Sequence, residues 1–214
     1  MYEQSLNILN MIFNHGYEAY IIGGYPRDKY LNINSNDIDI CTNAPIELLE
    51  SLFDIKKYNN SFANVVIKYN GYDFEITHYR KDYYDKSRYP KIEYVNTLKE
   101  DLQRRDFIIN TLCINHKGEY IDILGAKEDI DKKVINTVKD ADTSFKEDPL
   151  RILRAIRFSI SLNMTLSNDI KDSIRNNYKL LKNISNISIK KELDKIPFSV
   201  LKENFPFILD EINI

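Results

Sequence analysis

Ile21-Ile22-Gly23-Gly24-Tyr25-Pro26-Arg27-Asp28, with Asp37-Ile38-Asp39-Ile40 following, is the stretch on which the reading of this 214-residue chain turns. The run Tyr20–Ile22 predicts a strand, Gly23-Gly24 a turn, the residues around Arg27–Leu31 a short helix, and Asp37–Ile40 a second strand. Side chains alternate along a strand, so Asp37 and Asp39 point to one face, roughly 6–7 Å apart at Cα, with Ile38 and Ile40 on the other. Carboxylates so placed repel each other, and a divalent cation relieves that repulsion at catalytic sites. Gly23 and Gly24 allow close backbone approach to a phosphate, and the following helix N-terminus adds positive potential. Together these parts describe a site for a Mg²⁺-bound nucleoside triphosphate, with Asp37 and Asp39 as the metal ligands.

Before this stretch, Leu6, Ile8, Leu9, Ile12 and Phe13 recur at helical spacing over 4–14, and Asn14-His15-Gly16 suits a C-cap in which His15 caps or is solvated. After it, Pro45 marks the first turn of a helix over 45–52. Strands over 62–68 and 72–79 flank Asn70-Gly71, a two-residue hairpin signal. On the second of them Asp73, Glu75 and Thr77 share one face, and Phe74 and Ile76 the other. A third carboxylate there either completes metal coordination, takes a proton from an attacking hydroxyl, or is an outward polar residue. Residues 81–93 are charged, aromatic and aperiodic, which predicts a loop. Leu98 to Ile114 reads as one helix with Leu102, Phe107, Ile108, Thr111 and Leu112 inward. On it Arg104 and Arg105 suit bidentate bonding to a triphosphate. Asp106, one turn before Asn110, can accept from a ribose hydroxyl. The plain alternative is a helix carrying surface Arg–Asp pairs.

Past Tyr120-Ile121-Asp122-Ile123-Leu124-Gly125, where Gly125 suits a hinge or tight turn, the chain reads as helical. Asp148 followed by Pro149 suits an N-cap with proline at the first helical position, and Leu150, Leu153, Ile156 and Phe158 can face a core. Ionised Asp148 only accepts and Arg151 only donates. Arg151 lies one turn from Asp148 on the same side. Lys171, Arg175, Lys179 and Lys182, at spacings of four, four and three, are either a basic stripe along RNA phosphate or a solvated helix face.

Composition sets outer limits. Hydrophobic content of 43% and charged content of 29% are those of a globular protein. A net charge of −2 gives no global attraction to nucleic acid, so RNA contacts must come from local patches. Cys41 and Cys113 lie in apolar runs without metal spacing, which predicts buried reduced thiols and a cytoplasmic setting. No apolar run reaches the roughly 18–20 residues that span a bilayer, and Tyr2-Glu3-Gln4-Ser5 does not read as a signal peptide. Oligomeric state is left open.

In chain order the motifs resemble those of class II tRNA nucleotidyltransferases and bacterial poly(A) polymerases. Gly23-Gly24-Tyr25-Pro26-Arg27-Asp28 with Asp37-Ile38-Asp39 is similar to the head motif, Tyr25 standing where the family has an aliphatic residue. Phe74-Glu75-Ile76-Thr77-His78-Tyr79-Arg80 lies where the family has Glu-Val-Thr-Thr-Phe-Arg, which favours Glu75 over Asp73. Residues 81–93 resemble the flexible loop before the second motif, without its Gly-Arg-Arg-Pro wording. Arg104-Arg105-Asp106-Phe107-Ile108-Ile109-Asn110 resembles Arg-Arg-Asp-Phe-Thr-Ile-Asn, and Glu147-Asp148-x-x-Arg151, continuing to Arg154, resembles the nucleotide-selecting motif. Residues 187–196 resemble the last motif, a helix that supports the neck.

The resemblance implies an α+β nucleotidyltransferase head over 1–118, with a mixed sheet and flanking helices, then a connector and all-helical neck over 119–214. It implies Asp37, Asp39 and Glu75 as catalytic residues, with Mg²⁺ on Asp37 and Asp39. Nucleotide binding would fall to Gly23, Gly24, Arg27, Arg104, Arg105, Asp106, Asn110, Asp148, Arg151 and Arg154. The implied activity is addition of C and A to the tRNA 3′ end from CTP and ATP, releasing pyrophosphate. Addition of C or A alone, poly(A) synthesis, and a catalytically idle RNA- or nucleotide-binding module are the alternatives. The run over 60–67 lacks the basic stretch that marks poly(A) polymerases. Family members continue well beyond this length, so the chain is expected to be head and neck alone, either a shortened piece or a minimal enzyme.

Overall fold

The computed structural model describes residues 1–59, 63–85 and 88–212, and the chain divides into two units. The first comprises Met1–Tyr83 and Pro90–Glu128. It opens on α1 (Tyr2–Asn14), which buries Ile8, Leu9 and Ile12. The helix ends where His15 Nδ1 donates to the Met11 carbonyl at 2.8 Å and Gly16 takes φ +86°. Then come β1 (Ala19–Ile22), α2 (Gly24–Tyr30), β2 (Asp39–Thr42), α3 (Ile46–Leu52), β3 (Asp54–Asn59), β4 (Asn64–Tyr69) and β5 (Tyr72–His78). They are followed by β6 (Arg80–Tyr83), β7 (Lys91–Tyr94), α4 (Leu98–Leu102), β8 (Cys113–Ile114) and β9 (Tyr120–Ile121).

Seven strands form one mixed sheet in the order β3-β4-β5-β2-β1-β8-β9. Its neighbours are antiparallel except β2 and β5, which run parallel. Ile38, Ile40, Phe74 and Ile76 bury against the helix-covered core with Ile8, Leu9 and Ile12. Ile22, Cys41, Tyr79, Leu102 and Cys113 form a second cluster. Burial pushes the Cys41 thiol up and raises Cys113 to about 12, so both stay protonated and inert. The hairpin signal is met: Asn70 and Gly71 take φ +48° and +86°, the pair of left-handed residues that a type I′ turn requires.

Several sequence expectations give way. The first hairpin strand begins at Asn64, and Phe62 lies outside the described residues. The strand expected over Asp37–Ile40 starts at Asp39, with Asp37 just before it. The short helix begins at Gly24 rather than near Arg27. Residues 81–93 are not all loop: β6 and β7 pair antiparallel from Arg80↔Tyr94 to Tyr83↔Lys91, while Lys86 and Ser87 lie outside the described residues. The single helix over Leu98–Ile114 is instead α4, a 3-10 turn at Ile108–Asn110, and strand β8. The break has a local cause. Asp106 accepts from the backbone N–H of Phe107 at 2.8 Å, a turn contact that competes with helix.

The chain leaves the first unit within α5 (Ala126–Asp131), where Asp122 accepts from the N–H groups of Ala126 and Lys127 at 2.7 and 3.0 Å. The division after Glu128 lies beyond the expected boundary at 118/119, since β9 still belongs to the large sheet. The second unit comprises Tyr84–Tyr89 and everything from Asp129 on. Its elements are β10 (Val134–Ile135), α6 (Ala141–Glu147), α7 (Leu150–Ser161), β11 (Thr165–Leu166), α8 (Asn168–Asn177), a 3-10 segment at Tyr178–Asn183, α9 (Asn186–Leu193), α10 (Phe198–Asn204) and α11 (Pro206–Glu211). The parallel β10–β11 pair is its one departure, among the described residues, from the all-helical expectation. Leu150, Ile152, Leu153, Ile156 and Phe158 of α7 are buried. Arg157 Nε donates to Glu192 Oε2 at 2.7 Å, tying α9 to α7.

Candidate functional site

The parallel β2–β5 pair decides where the acids stand, because register places Asp39 directly opposite Glu75. Asp37 is exposed, Asp39 half-buried, and Ile38 and Ile40 are buried, so the expected alternation holds although Asp37 precedes the strand. Burial pushes the Asp39 carboxyl up to about 6, helped by Asp37 and Glu75 and opposed by Arg105. Gly23 adopts φ +85°, and a Cβ there would lie 3.4 Å from Asp39 Oδ2. Glycine is needed for the backbone angle, while a Cβ would only touch that carboxylate. Asn64 Nδ2 donates to Glu75. Asp73, the rival acid on β5, is taken up by Lys56 at 2.5 Å on the exposed face.

This donor set suits a divalent cation bound in the open. Asp37 and Glu75 add to the cost of charging Asp39, and a cation beside it lowers that cost. Among the described residues no set of three or more His, Cys, Asp or Glu side chains encloses an ion by itself. One or two carboxylates completed by phosphate oxygens and water is how Mg²⁺ is usually held.

Asp39 and Glu75 share a cavity of about 320 Å³ with Asn64, Arg80, Arg104 and Arg105. Arg104 Nε donates to Asp101 Oδ1 at 2.8 Å, and Arg105 Nη2 donates to Asp101 Oδ2 at 3.1 Å. Arg105 Nε is buried and makes no hydrogen bond among the described residues. The structure also joins Arg27, Asp106 and Asn110. Arg27 Nη1 donates to Asn110 Oδ1, and Asn110 Nδ2 donates to Asp106 Oδ1 at 3.1 Å. Asp28 Oδ1 accepts from Nε and Nη2 of Arg27 at 2.9 and 2.6 Å. Gly24 lies against this group, with its added Cβ 3.4 Å from Arg27 Nη2.

In the second unit, Asp148 is the C-cap of α6 and Pro149 the N-cap of α7, one residue from the expected capping register. Asp148 Oδ1 accepts from the N–H of Leu150 at 3.2 Å and lies 3.5 Å from Arg88 Nε. Arg151 is buried. Its Nη1 donates to Ser144 Oγ at 3.0 Å and Glu147 Oε2 at 3.3 Å, and its Nη2 to the Tyr84 hydroxyl at 3.2 Å. Each member of the expected base-reading pair is thus held by other side chains. Arg154 lies over the Phe158 ring, 5.5 Å from its centroid. Lys171, Arg175, Lys179 and Lys182 are exposed, but the α8 register stops at Asn177, and Arg175 pairs with Asp172 at 3.2 Å.

The model of the poly(A) polymerase head domain matches residues 19–136. The chain belongs to that family. A relative from Geobacillus kaustophilus (strain HTA426), named CCA-adding enzyme, is 36% identical over 215 residues, covering 98% of this chain and 53% of its own. The crystal structure of the Bacillus stearothermophilus CCA-adding enzyme in complex with CTP superposes with a TM-score of 0.84 at 33% identity, covering 93% of this chain and 50% of that one. A tRNA nucleotidyltransferase complexed with a primer tRNA and an incoming ATP analog gives a TM-score of 0.76 at 28% identity, with 96% and 62% covered. This head-domain chain spans about half the length of the relatives it matches. Nucleotidyltransferases of the family generally use a divalent metal.

Against that family background, Asn64, Arg80, Arg88 and Asp101 are the residues that sequence reasoning passed over. Arg88 sits in the segment read as loop. Asp101 did leave a signal, since it precedes Arg104 and Arg105 by three and four residues, the spacings at which helical neighbours meet. No helix among the described residues is long and apolar enough to cross a membrane.

Proposed function

We propose that the chain catalyses addition of C and A to the 3′ end of tRNA from CTP and ATP, as head and neck of a CCA-adding nucleotidyltransferase working in the cytoplasm. One observation carries the reading: Asp39 stands in register with Glu75 in a cavity that Arg104 and Arg105 also line. Acids beside guanidiniums suit a metal-bound triphosphate. The similarity to enzymes seen with CTP and with an ATP analog supplies the substrate class. Asp37 and Asp39 would hold Mg²⁺, which neutralises charge building on the phosphate oxygens. Glu75 would take the proton of the acceptor 3′ hydroxyl or complete the ion's shell. That hydroxyl attacks the α-phosphate and pyrophosphate leaves. Arg104 and Arg105 would bind the triphosphate, Gly23 and Gly24 admit it, and the Arg27–Asn110–Asp106 chain would present Asp106 to a ribose hydroxyl. Asp148 and Arg151, supported by Arg154, would choose the base. The 171–182 basic residues would add weak phosphate contacts.

The raised Asp39 carboxyl gives this reading a test without turnover. The folded protein holds the Asp39 proton up to about pH 6, against an ordinary carboxylate value of 3.8. Whatever stability this gives is lost as pH rises through 6, and a cation that requires the ionised form recovers it. Mg²⁺ should therefore raise the melting temperature clearly at pH 7.5 and little at pH 5, with apparent affinity falling about tenfold per pH unit below 6. Asp39→Asn should remove the effect. An equal rise at both pH values would remove Asp39 from the metal site.

Function itself is tested by supplying labelled CTP or ATP with tRNAs lacking CCA, ending in CC, or intact. C then A on the truncated tRNAs is expected. A-tailing of generic RNA would make the chain a poly(A) polymerase, and RNA binding without incorporation would make it an idle module.

A further inference from the structure

We infer that Asp101 is a positioning residue: its buried carboxylate gathers Arg104 and Arg105 onto one side of the cavity and fixes their guanidiniums in the attitude that receives a triphosphate. The inference rests on the site reading above. Consecutive side chains on a turn ordinarily diverge, yet these two converge on a single carboxylate, Nε of Arg104 on one oxygen and Nη2 of Arg105 on the other. Asp101 is fully buried and opens to no solvent, so it is not itself a group that meets substrate. It also accepts from the backbone N–H of Arg80 at 3.2 Å, which locks the end of α4 to the start of β6.

Arg80 is the third guanidinium of the cavity, and its Nε donates to Asp82 Oδ1 at 2.8 Å. Asp82 Oδ2 in turn lies 4.0 Å from Arg104 Nη1. Two carboxylates thus hold three arginines, which line the same cavity as Asp39 and Glu75. Burial alone would raise the Asp101 carboxyl, but Arg105 and Arg104 outweigh it and hold the acid below its ordinary range. It therefore remains an anion whenever the site works. Without it, two adjacent half-buried guanidiniums would repel each other and lose their common direction.

The experiment measures binding of inorganic tripolyphosphate to the full chain by calorimetry, at fixed pH and ionic strength, through a double-mutant cycle. Asp101→Asn is expected to weaken binding about 10- to 100-fold, the scale of hydrogen bonds to charged groups. Arg105→Met should weaken it on its own, and the double variant should lose less than the product of the two effects, because Asp101 acts through the arginines. In turnover with CTP, Asp101→Asn should raise KM far more than it lowers kcat. Binding equal to the parent's, or effects that simply multiply, would overturn the role. If Asp101→Asn alone does not fold, Arg105→Met is compared with Asp101→Asn/Arg105→Met, which restores the parent's charge count. A further loss through Arg104, smaller than that of Asp101→Asn in the parent, is then expected, and equal affinity overturns the inference. A parent chain that binds no tripolyphosphate overturns the site reading itself, a result distinct from a parent that binds and a variant that binds equally well.

Discussion

Alanine at Asp39 is expected to leave a folded chain with nucleotide transfer reduced by at least about 10³-fold, the scale on which an electrostatic element of a transition state is lost. The carboxylate begins β2 beside Gly23 and opposite Glu75. No core side chain depends on its volume, since the buried residues of β2 are Ile40, Cys41 and Thr42. Thermal unfolding should show a melting temperature at or above that of the metal-free parent, because the substitution removes an acid whose ionised form the fold disfavours. Radiolabelled CTP incorporation reads the activity. Mg²⁺-dependent incorporation within tenfold of the parent would strip Asp39 of its role. Asp37→Ala should be severe too, and its exposed position makes an effect on folding negligible.

The second large effect concerns base choice. Asp148→Ala combined with Arg151→Ala should reduce the preference for CTP and ATP over UTP and GTP from about 10⁴ to about tenfold, the range open to a site that pairs polar groups. Dependence on Mg²⁺ should persist. The geometry adds a condition: Arg151 is engaged by Ser144, Glu147 and Tyr84, and Asp148 lies beside Arg88. A base that takes up the pair must displace those partners, so Tyr84→Phe, which removes one acceptor competing for Arg151, should lower the KM for CTP and ATP. Competition between the four nucleotides on one tRNA reads the preference. If UTP and GTP remain rejected as strongly as before, Asp148 serves only the start of α7.

Much of the site was legible because its signals are local. Gly23 and the Asn70-Gly71 pair need positive φ, and both have it. The alternation around Asp37 and Asp39 is a property of extended chain, and holds even though the ladder starts at Asp39. What escaped depends on distant partners. Glu75 itself was named, through the family resemblance, but its pairing with Asp39 in a parallel β2–β5 ladder is something no spacing announces. Arg80 joins the cavity through a ribbon, β6 and β7, whose strands are four residues each and rich in charge. The long helix over 98–114 failed for the opposite reason. Of its expected inward residues Leu102, Phe107, Thr111 and Leu112 are buried, but Ile108 is only half-buried and Ile109 is buried in its stead, because Asp106 holds the backbone out of helix.

The membership of Tyr84–Tyr89 in the second unit carries a consequence for dissecting the protein. The hydroxyl that Arg151 donates to comes from 67 positions earlier in the chain. The guanidinium beside Asp148 comes from the same excursion. A fragment begun at Asp129 would look like a clean excision on the gene, yet it would arrive without either group. Its selecting helix could fold and still present Asp148 and Arg151 in the wrong company. On the ribosome the order is reversed: Tyr84 and Arg88 emerge first and must wait for α7 before their contacts can close.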